Sequence, residues 1–478
     1  MRLEYKWRAT GIVALGLFMA VLDNTVVNVA LPEISRFFHV AHYNDVIWIS
    51  TAYFLAQAAV IPAVGYISDI VGTKTVFLTA LGLFVLGSGL CAVAPNLTLL
   101  IVFRIFQGIG GGALFPIVFA ITFRIFPPSE RGQASAAIGV PVLLAPAFGP
   151  TIGGYLTTNF DWRAIFTVNL PIGVIAFVLA MLTLRTRAEE QEALKNQPGL
   201  AAPTSRNFDV LGLLLALAGV STLVYGISEI GTRGISDPTV LTFMGIGIVL
   251  TGLFIYVELA VSKDPVLDLR LFKTGSFTIG TILTGLITAF FFGSVILFPI
   301  FFQNVLGYSP LNSGEIFILQ GLTAALGVFA AGRLYNRVGP RILTTIGLIL
   351  ITLSTIGLFH LDIHTTGWSI QGWLVMRGLG LGLTNTPLQT FTLSQVNNRA
   401  IARASSLTNV MRQIFSAIGV AMITSFVLQQ TTANATSLGT TISKEFATNP
   451  PTGTAASCIE RFIVTHAALF LIVIGMLH

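Results

Sequence analysis

Charge is what this sequence has least of. Only 10% of its 478 residues are Asp, Glu, Lys or Arg, against roughly 25% in an ordinary soluble domain, so water is not its main solvent. Cysteine is scarcer still. Cys91 at the end of one apolar run and Cys458 in a late polar stretch exclude a disulfide framework or a thiolate metal cluster. The six histidines lie in outer loops or the last apolar run without ligand spacing, so no metal site is expected. A membrane-embedded transferase, which needs convergent acids, histidines or a metal, is disfavoured on the same ground. No G-x-x-x-x-G-K-[ST] loop occurs, and GIGGGALFP (Gly108 to Pro116) is glycine within an apolar run rather than a phosphate cradle. No cofactor is expected.

What is abundant is apolar: 54% of the chain, including 36 Phe, with 47 Gly among the remainder. Aromatic bulk facing lipid and small residues between close helices fit a helical membrane protein. The first apolar run is too long for a cleavable leader and lacks a small-residue cleavage site, so it is expected to stay as a span. Runs long enough for the roughly 20 residues of a membrane helix begin near Ala9, Val46, Thr75, Leu97, Gln133 and Ala164, then near Asp209 and Thr239, then near Ser276, Leu311, Ile342, Gly367, Ile401 and Glu460. The expected fold is therefore an all-α integral membrane protein of fourteen transmembrane helices: two six-helix bundles plus two additional spans. Residues 1–184 form the first bundle, 185–208 a polar cytoplasmic linker, 209–260 the two extra helices, and 261–478 the second bundle, with a Thr/Ser/Asn-rich outer loop over 429–459.

The formal net charge of +6 reports topology rather than a nucleic-acid partner, because its placement is one-sided. Lys and Arg gather at the N-terminus, in loops 2/3, 4/5, 8/9, 10/11 and 12/13, and in the linker, whereas the opposite side holds only Arg36, Arg163, Arg233, Lys444 and Arg461. Cytoplasmic loops retain basic residues, so both termini are expected in the cytoplasm of a multi-pass plasma-membrane protein.

The chain also repeats itself. GYISDIVGTK (Gly65 to Lys74) and GRLYNRVGPR (Gly332 to Arg341) carry glycine, Asp/Asn, glycine and a basic residue at equal offsets; RIFQGIGGG from Arg104 is echoed by RGLGLGL from Arg377, and QASA (Gln133 to Ala136) by RASS (Arg403 to Ser406). Parallel six-span halves are a transporter architecture, with the substrate site between them near the midplane.

With these motifs the chain resembles the major facilitator superfamily, and within it the fourteen-span drug:proton antiporters. GYISDIVGTK is similar to the family's loop 2/3 signature, LDNTVVNVALP (Leu22 to Pro32) to its span 1 signature, RIFQGIGGG to that of span 4, APAFGPTIGG (Ala145 to Gly154) to the antiporter signature of span 5, and DWRAIFTVNLPIG (Asp161 to Gly173) to the opening of span 6. Two positions depart from the pattern, Ala145 where glycine is usual and Ile70 where a base is usual. The resemblance implies proton-driven export of small amphipathic compounds by alternating access, without a cofactor, by a chain that works as a monomer in the lipid bilayer. It also implies that Asp23 is the proton-coupling acid and that Arg104 assists proton transfer.

The residues support that direction. Asp23 lies fourteen residues into span 1, roughly 21 Å from its inner end at 1.5 Å per residue, and an ionisable group there must face the bundle interior. Arg104, about seven residues into span 4 from the outside, reaches comparable depth, so the two can meet. Burial and a nearby guanidinium act in opposite senses on carboxyl ionisation, which suits a proton carrier. A polar or cationic substrate near Asp23 would then exclude the proton, and with one carboxylate well inside the membrane monocations or neutral amphipaths are favoured over dications.

Gln107, Arg377, Asn385, Asn409 and Arg412 are the candidate substrate-cavity residues. Gln107 shares a face with Arg104, while Ser405, Asn409, Arg412 and Ser416 form one polar stripe in span 13. Gly65, Asp69, Gly72 and Lys74 are assigned to conformational gating, with Asp69 either accepting hydrogen bonds from a helix N-terminus or pairing with a base across the cytoplasmic seam. Pro146, Gly149, Pro150, Gly153 and Gly154 are expected to kink span 5 and pack at the boundary between the halves. Glu315 is read as capping span 10, Glu229 and Glu258 as solvated interface residues, and Phe290 to Phe292 and Phe301 to Phe302 as lipid-facing or core aromatics with a share in an apolar drug pocket. Export of an endogenous lipid or metabolite uses the same machinery, and a channel would show itself by ohmic conductance.

Overall fold

In hydrocarbon every backbone N–H and C=O must be satisfied within its own segment, so apolar runs of this length become helices. The computed structural model describes residues 4–40, 43–189, 192, 209–262, 265–300, 310–359, 367–394, 396 and 400–448. Thirteen long helices follow in order: α1 (Tyr5–Phe37), α2 (Tyr43–Val71), α3 (Thr73–Ala92), α4 (Leu97–Ile125), α5 (Arg131–Asn159), a sixth interrupted at Val168, α6 (Ala164–Thr183), α7 (Val210–Arg233), α8 (Pro238–Tyr256), α9 (Gly275–Ile300), α10 (Pro310–Val338), α11 (Pro340–Phe359), α12 (Gly367–Ser394) and α13 (Ile401–Thr448). Twelve of the described helices are long and apolar enough to cross a membrane, and α12 stands where the sequence places a further span. The run expected from Glu460 lies outside the described residues.

Local chemistry sets the helix ends. Asn96 accepts from the Leu99 N–H at 2.9 Å, Asp209 from Gly212 at 2.7 Å and Asp237 from Thr239 at 2.8 Å, with Pro238 opening α8; each cap satisfies an orphan donor. Gly72 follows α2 at φ +92° and Gly339 follows α10 at φ +82°, a left-handed conformation that glycine adopts without Cβ strain. These are the matched glycines of the two repeats. At the far end the helix α13 continues through Thr448 as one 48-residue element, so residues 429–448 are helical where polar composition suggested a loop.

Glycines in α4 bring three helices close together. A Cβ at Gly108 would lie 2.6 Å from the Tyr53 carbonyl oxygen, one at Gly112 2.6 Å from the Gln57 Cα, and one at Gly110 2.5 Å from the Ala80 carbonyl oxygen. α2 and α3 therefore press directly on α4. The two bundles meet along α5 against α10 and α2 against α13. α7 packs on both α2 and α13, and α8 packs on α7, so the first extra span lies beside the seam between bundles. The outward side of α8, with Leu241, Ile246, Ile248, Val249 and Leu253 exposed, suits lipid.

Lys74 fastens the first bundle. Its ammonium donates to the carbonyls of Met181 and Leu184, both at 2.7 Å, and so neutralises the negative end of α6. Within the described contacts it binds its own bundle rather than the gate to which it was assigned. Lys74→Met is expected to lower stability by about 1–2 kcal/mol, and Lys74→Arg by less, as measured by thermal unfolding in detergent. Equal losses from both variants would remove the charge from the explanation.

Candidate functional site

Asp23 and Arg104 meet. Both are 1% exposed, and Arg104 Nη1 donates to Asp23 Oδ2 at 2.5 Å. The other carboxylate oxygen, Oδ1, accepts from Gln107 Nε2 at 3.0 Å and from Asn169 Nδ2 at 2.9 Å. The guanidinium is held in turn: Nη1 also donates to Gln107 Oε1 at 2.8 Å, Nε donates to the Ile49 carbonyl at 3.2 Å, and its carbon lies 3.9 Å from the Tyr53 ring centroid. Behind Asn169, Ser88 accepts from the amide at 3.1 Å and donates to the Phe166 carbonyl at 3.0 Å. Spans α1, α2, α3, α4 and α6 all contribute, and all belong to the first bundle.

A buried ion pair of this kind is held by satisfying the remaining lone pairs and protons. The cluster differs from expectation in its membership. Gln107, assigned to a substrate cavity, bridges the acid and the base instead, because its three-residue spacing from Arg104 puts both on the face that α1 covers. Asn169 and Ser88 were missed. Asn169 is the amide within the apolar run VNLPIG, which was the available signal.

A separate pocket lies between the bundles, with about 420 Å³ of space unfilled by protein atoms that includes open solvent. Phe115 and Phe119 of α4 and Val142 of α5 face Asn385 and Gln389 of α12 and Arg412 of α13 across it. The expected cavity residues Asn385 and Arg412 are thus brought together, whereas Asp23, Arg104 and Gln107 do not line this cavity. Nor do Arg377 and Asn409. Arg377, buried on α12, donates to Ser294 of α9, and Asn409 donates to the Ser405 carbonyl of its own helix at 2.8 Å. The stripe on α13 is therefore split: its lower residues hold the seam and Arg412 faces the cavity.

Below the cavity the basic face is sealed. Asp69 accepts from Arg124 of its own bundle at 2.9 Å and from Arg403 of the other at 3.1 Å. The Gly65 N–H donates to Ser406 Oγ at 2.9 Å, Ser405 to the Pro116 carbonyl at 3.1 Å, and Thr390 to Ser135 Oγ at 2.7 Å. The repeat is visible here: Asn336, matching Asp69, donates to the Ser129 carbonyl at 2.5 Å across the same boundary, and Gly332, matching Gly65, packs against Ala136.

Gly72 ends α2 and a Cβ there would meet Arg187 at 3.1 Å, so it shapes the loop rather than the seam. On α5, a Cβ at Gly149 would run into Thr25 and one at Gly153 would lie 3.0 Å from the Val26 carbonyl, while Gly154 has open space around it. Those glycines let α5 press on α1, inside the first bundle, instead of at the boundary between halves. Pro146 and Pro150 sit within the same continuous helix. The boundary is made by other small residues of α5, Gly132, Ala136, Gly139 and Ala147.

Two acids differ from their sequence readings, and a third keeps its own. Glu315 is exposed and lies beyond the first turn of α10, so it does not cap that helix. Glu258 is buried and accepts from the Val266 and Leu267 N–H groups at 3.0 and 3.4 Å, folding loop 8/9 back on α8. Glu229 pairs with Arg233 at 2.6 Å near the surface. Phe290 is 76% exposed, a lipid-facing ring, and Phe301 and Phe302 lie outside the described residues.

Comparison with known proteins agrees with this architecture. The family described as Major Facilitator Superfamily matches residues 13–420. The multidrug resistance protein B homolog of Mycobacterium tuberculosis is 36% identical over 437 residues, covering 88% of this chain and 76% of that protein. The fatty acid resistance protein FarB of Neisseria gonorrhoeae is 31% identical over 424 residues, covering 86% and 78%. Among solved structures, the human organic anion transporter MFSD10 superposes with a TM-score of 0.64 at 17% identity, covering 88% of this chain and 93% of that one. The chain belongs to the major facilitator superfamily. It is a multi-span membrane transporter and not an enzyme.

Proposed function

We propose that this chain is a proton-coupled exporter of small amphipathic compounds, working by alternating access between its two bundles in the plasma membrane with the basic face in the cytoplasm. One observation carries the reading: a carboxylate buried in a span, ion-paired with one arginine and held by two amides, yet set apart from the cavity. The names of the two curated relatives, one of multidrug and one of fatty acid resistance, support export as the direction.

Coupling then follows from charge balance. A proton reaching Asp23 from outside neutralises it and leaves Arg104 as an uncompensated buried charge. Arg104 spans contacts to α1, α2 and α4, so relief of that charge shifts helices that continue down to the Asp69 seam. Cargo and proton therefore exchange through the conformation of the first bundle, and direct competition for one carboxylate is unnecessary. No ATP or cofactor enters.

The test is dye counterflow in proteoliposomes of the purified chain under an imposed pH gradient. Flux against the dye gradient that collapses with a protonophore is expected. Flux indifferent to the pH gradient, or ohmic conductance, would sink the reading.

A further inference from the structure

The cavity between the bundles has one charged group, and it is a cation. Arg412 is the twelfth residue of α13, roughly 16 Å from the helix start at 1.5 Å per residue, close to the middle of a hydrocarbon layer about 30 Å thick. The other polar side chains on the lining are neutral: Asn385 and Gln389 among them, with no carboxylate. Among the described residues no side chain hydrogen-bonds or ion-pairs with the Arg412 guanidinium. Arginine does not discharge at physiological pH, and a charge out of bulk water with no partner is costly. Other buried arginines have a carboxylate beside them: Arg104 has Asp23, and Arg124 and Arg403 share Asp69.

We propose that Arg412 is the anion subsite of the translocation cavity and that the cargo is an amphipathic organic monoanion. Its carboxylate or sulfonate takes the guanidinium fork, with the Asn385 and Gln389 amides as further donors. Its apolar body lies against Phe115, Phe119 and Val142. The preference is opposite to the one that Asp23 suggested in the sequence, because the structure spends that carboxylate on Arg104 and gives the cavity a positive charge instead. The inference rests on the exporter reading above but is tested apart from it, at equilibrium.

The probes are naphthylacetate, naphthylethanol and naphthylethylamine, which share one aromatic body and differ in head-group charge. Binding to the full chain in lipid nanodiscs is measured by calorimetry without a pH gradient. The acid is expected to bind about tenfold or more tighter than the alcohol, as a charge-assisted hydrogen bond supplies, with the amine weakest. Arg412→Gln is expected to bring acid and alcohol level, and Gln389→Glu to reverse the order of acid and amine. Should Arg412→Gln fail to fold, the Gln389→Glu reversal carries the test alone. Equal or tighter binding of the amine, or an acid preference that survives Arg412→Gln, overturns the proposal. Preferential acid binding without gradient-driven flux would leave the anion subsite standing and remove proton coupling.

Discussion

Asp23→Asn is expected to leave cargo binding nearly unchanged and to abolish the acceleration of dye counterflow by an imposed pH gradient. Asparagine has the same shape, and its oxygen still accepts from one of the donors that now surround the carboxylate. It has no titratable proton. Downhill exchange without a gradient should persist, because the cavity proposed for cargo does not include this cluster. If the variant still responds to the gradient, Asp23 is a structural tie and coupling belongs to another group.

The same pair gives a stability prediction with a built-in control. Removing either partner of a buried ion pair costs about 3–5 kcal/mol when the other is left charged. The two single variants are not equivalent. In Asp23→Asn the remaining arginine has no means of discharge, whereas in Arg104→Met the remaining carboxyl takes a proton and keeps the Gln107 and Asn169 amides as partners. Asp23→Asn should therefore lower the thermal midpoint more than Arg104→Met does, although the methionine variant also loses the stacking on Tyr53. The opposite order would show that packing of the guanidinium outweighs its charge.

Much of this site was legible before the fold was known, for definite reasons. Helical rise is regular, so depth along two spans can be compared by counting, and the expense of charge in hydrocarbon forces Asp23 and Arg104 inward. Counting does not reveal which neutral groups complete the shell. Asn169 stood out only as an amide in an apolar run, a weak signal because a lone amide is tolerated in many spans, and Gln107 was placed by face correctly but by neighbour wrongly. The Asp69 latch needed a partner 334 residues away; the repeat hinted at the register, but only packing selects Arg403. Gly149 and Gly153 share a face by spacing, and which helix lies against that face is a tertiary fact. The polar run after Gln429 misled for another reason: Thr and Ser are weak helix formers in isolation, yet a helix that has already run about eight turns from Ile401 simply propagates, since extending a helix is far easier than nucleating one.

Gly65→Val is expected to hold the basic face open and reduce turnover by at least about tenfold, the effect of roughly 1.4 kcal/mol at the closing step. A Cβ at this position would stand 2.7 Å from the Ala402 carbonyl oxygen, 2.9 Å from its carbon and 2.8 Å from Ser406 Oγ. Two of those atoms are backbone inside a close-packed helix, so they cannot yield without moving α13 as a whole. Because the clash is between bundles and not within one, each bundle keeps its own packing and the seam alone fails to close. A cysteine at Ser405, a position buried in that seam, should then react with a membrane-impermeant maleimide from the basic face in the Gly65→Val background and stay protected otherwise. Asp69→Asn acts in the same direction more weakly, leaving Arg124 and Arg403 with one neutral partner while the Gly65 to Ser406 hydrogen bond remains. A protected cysteine in both variants would mean that α5 against α10, which carries the mirrored Gly332 contact, closes the basic face without help from α2.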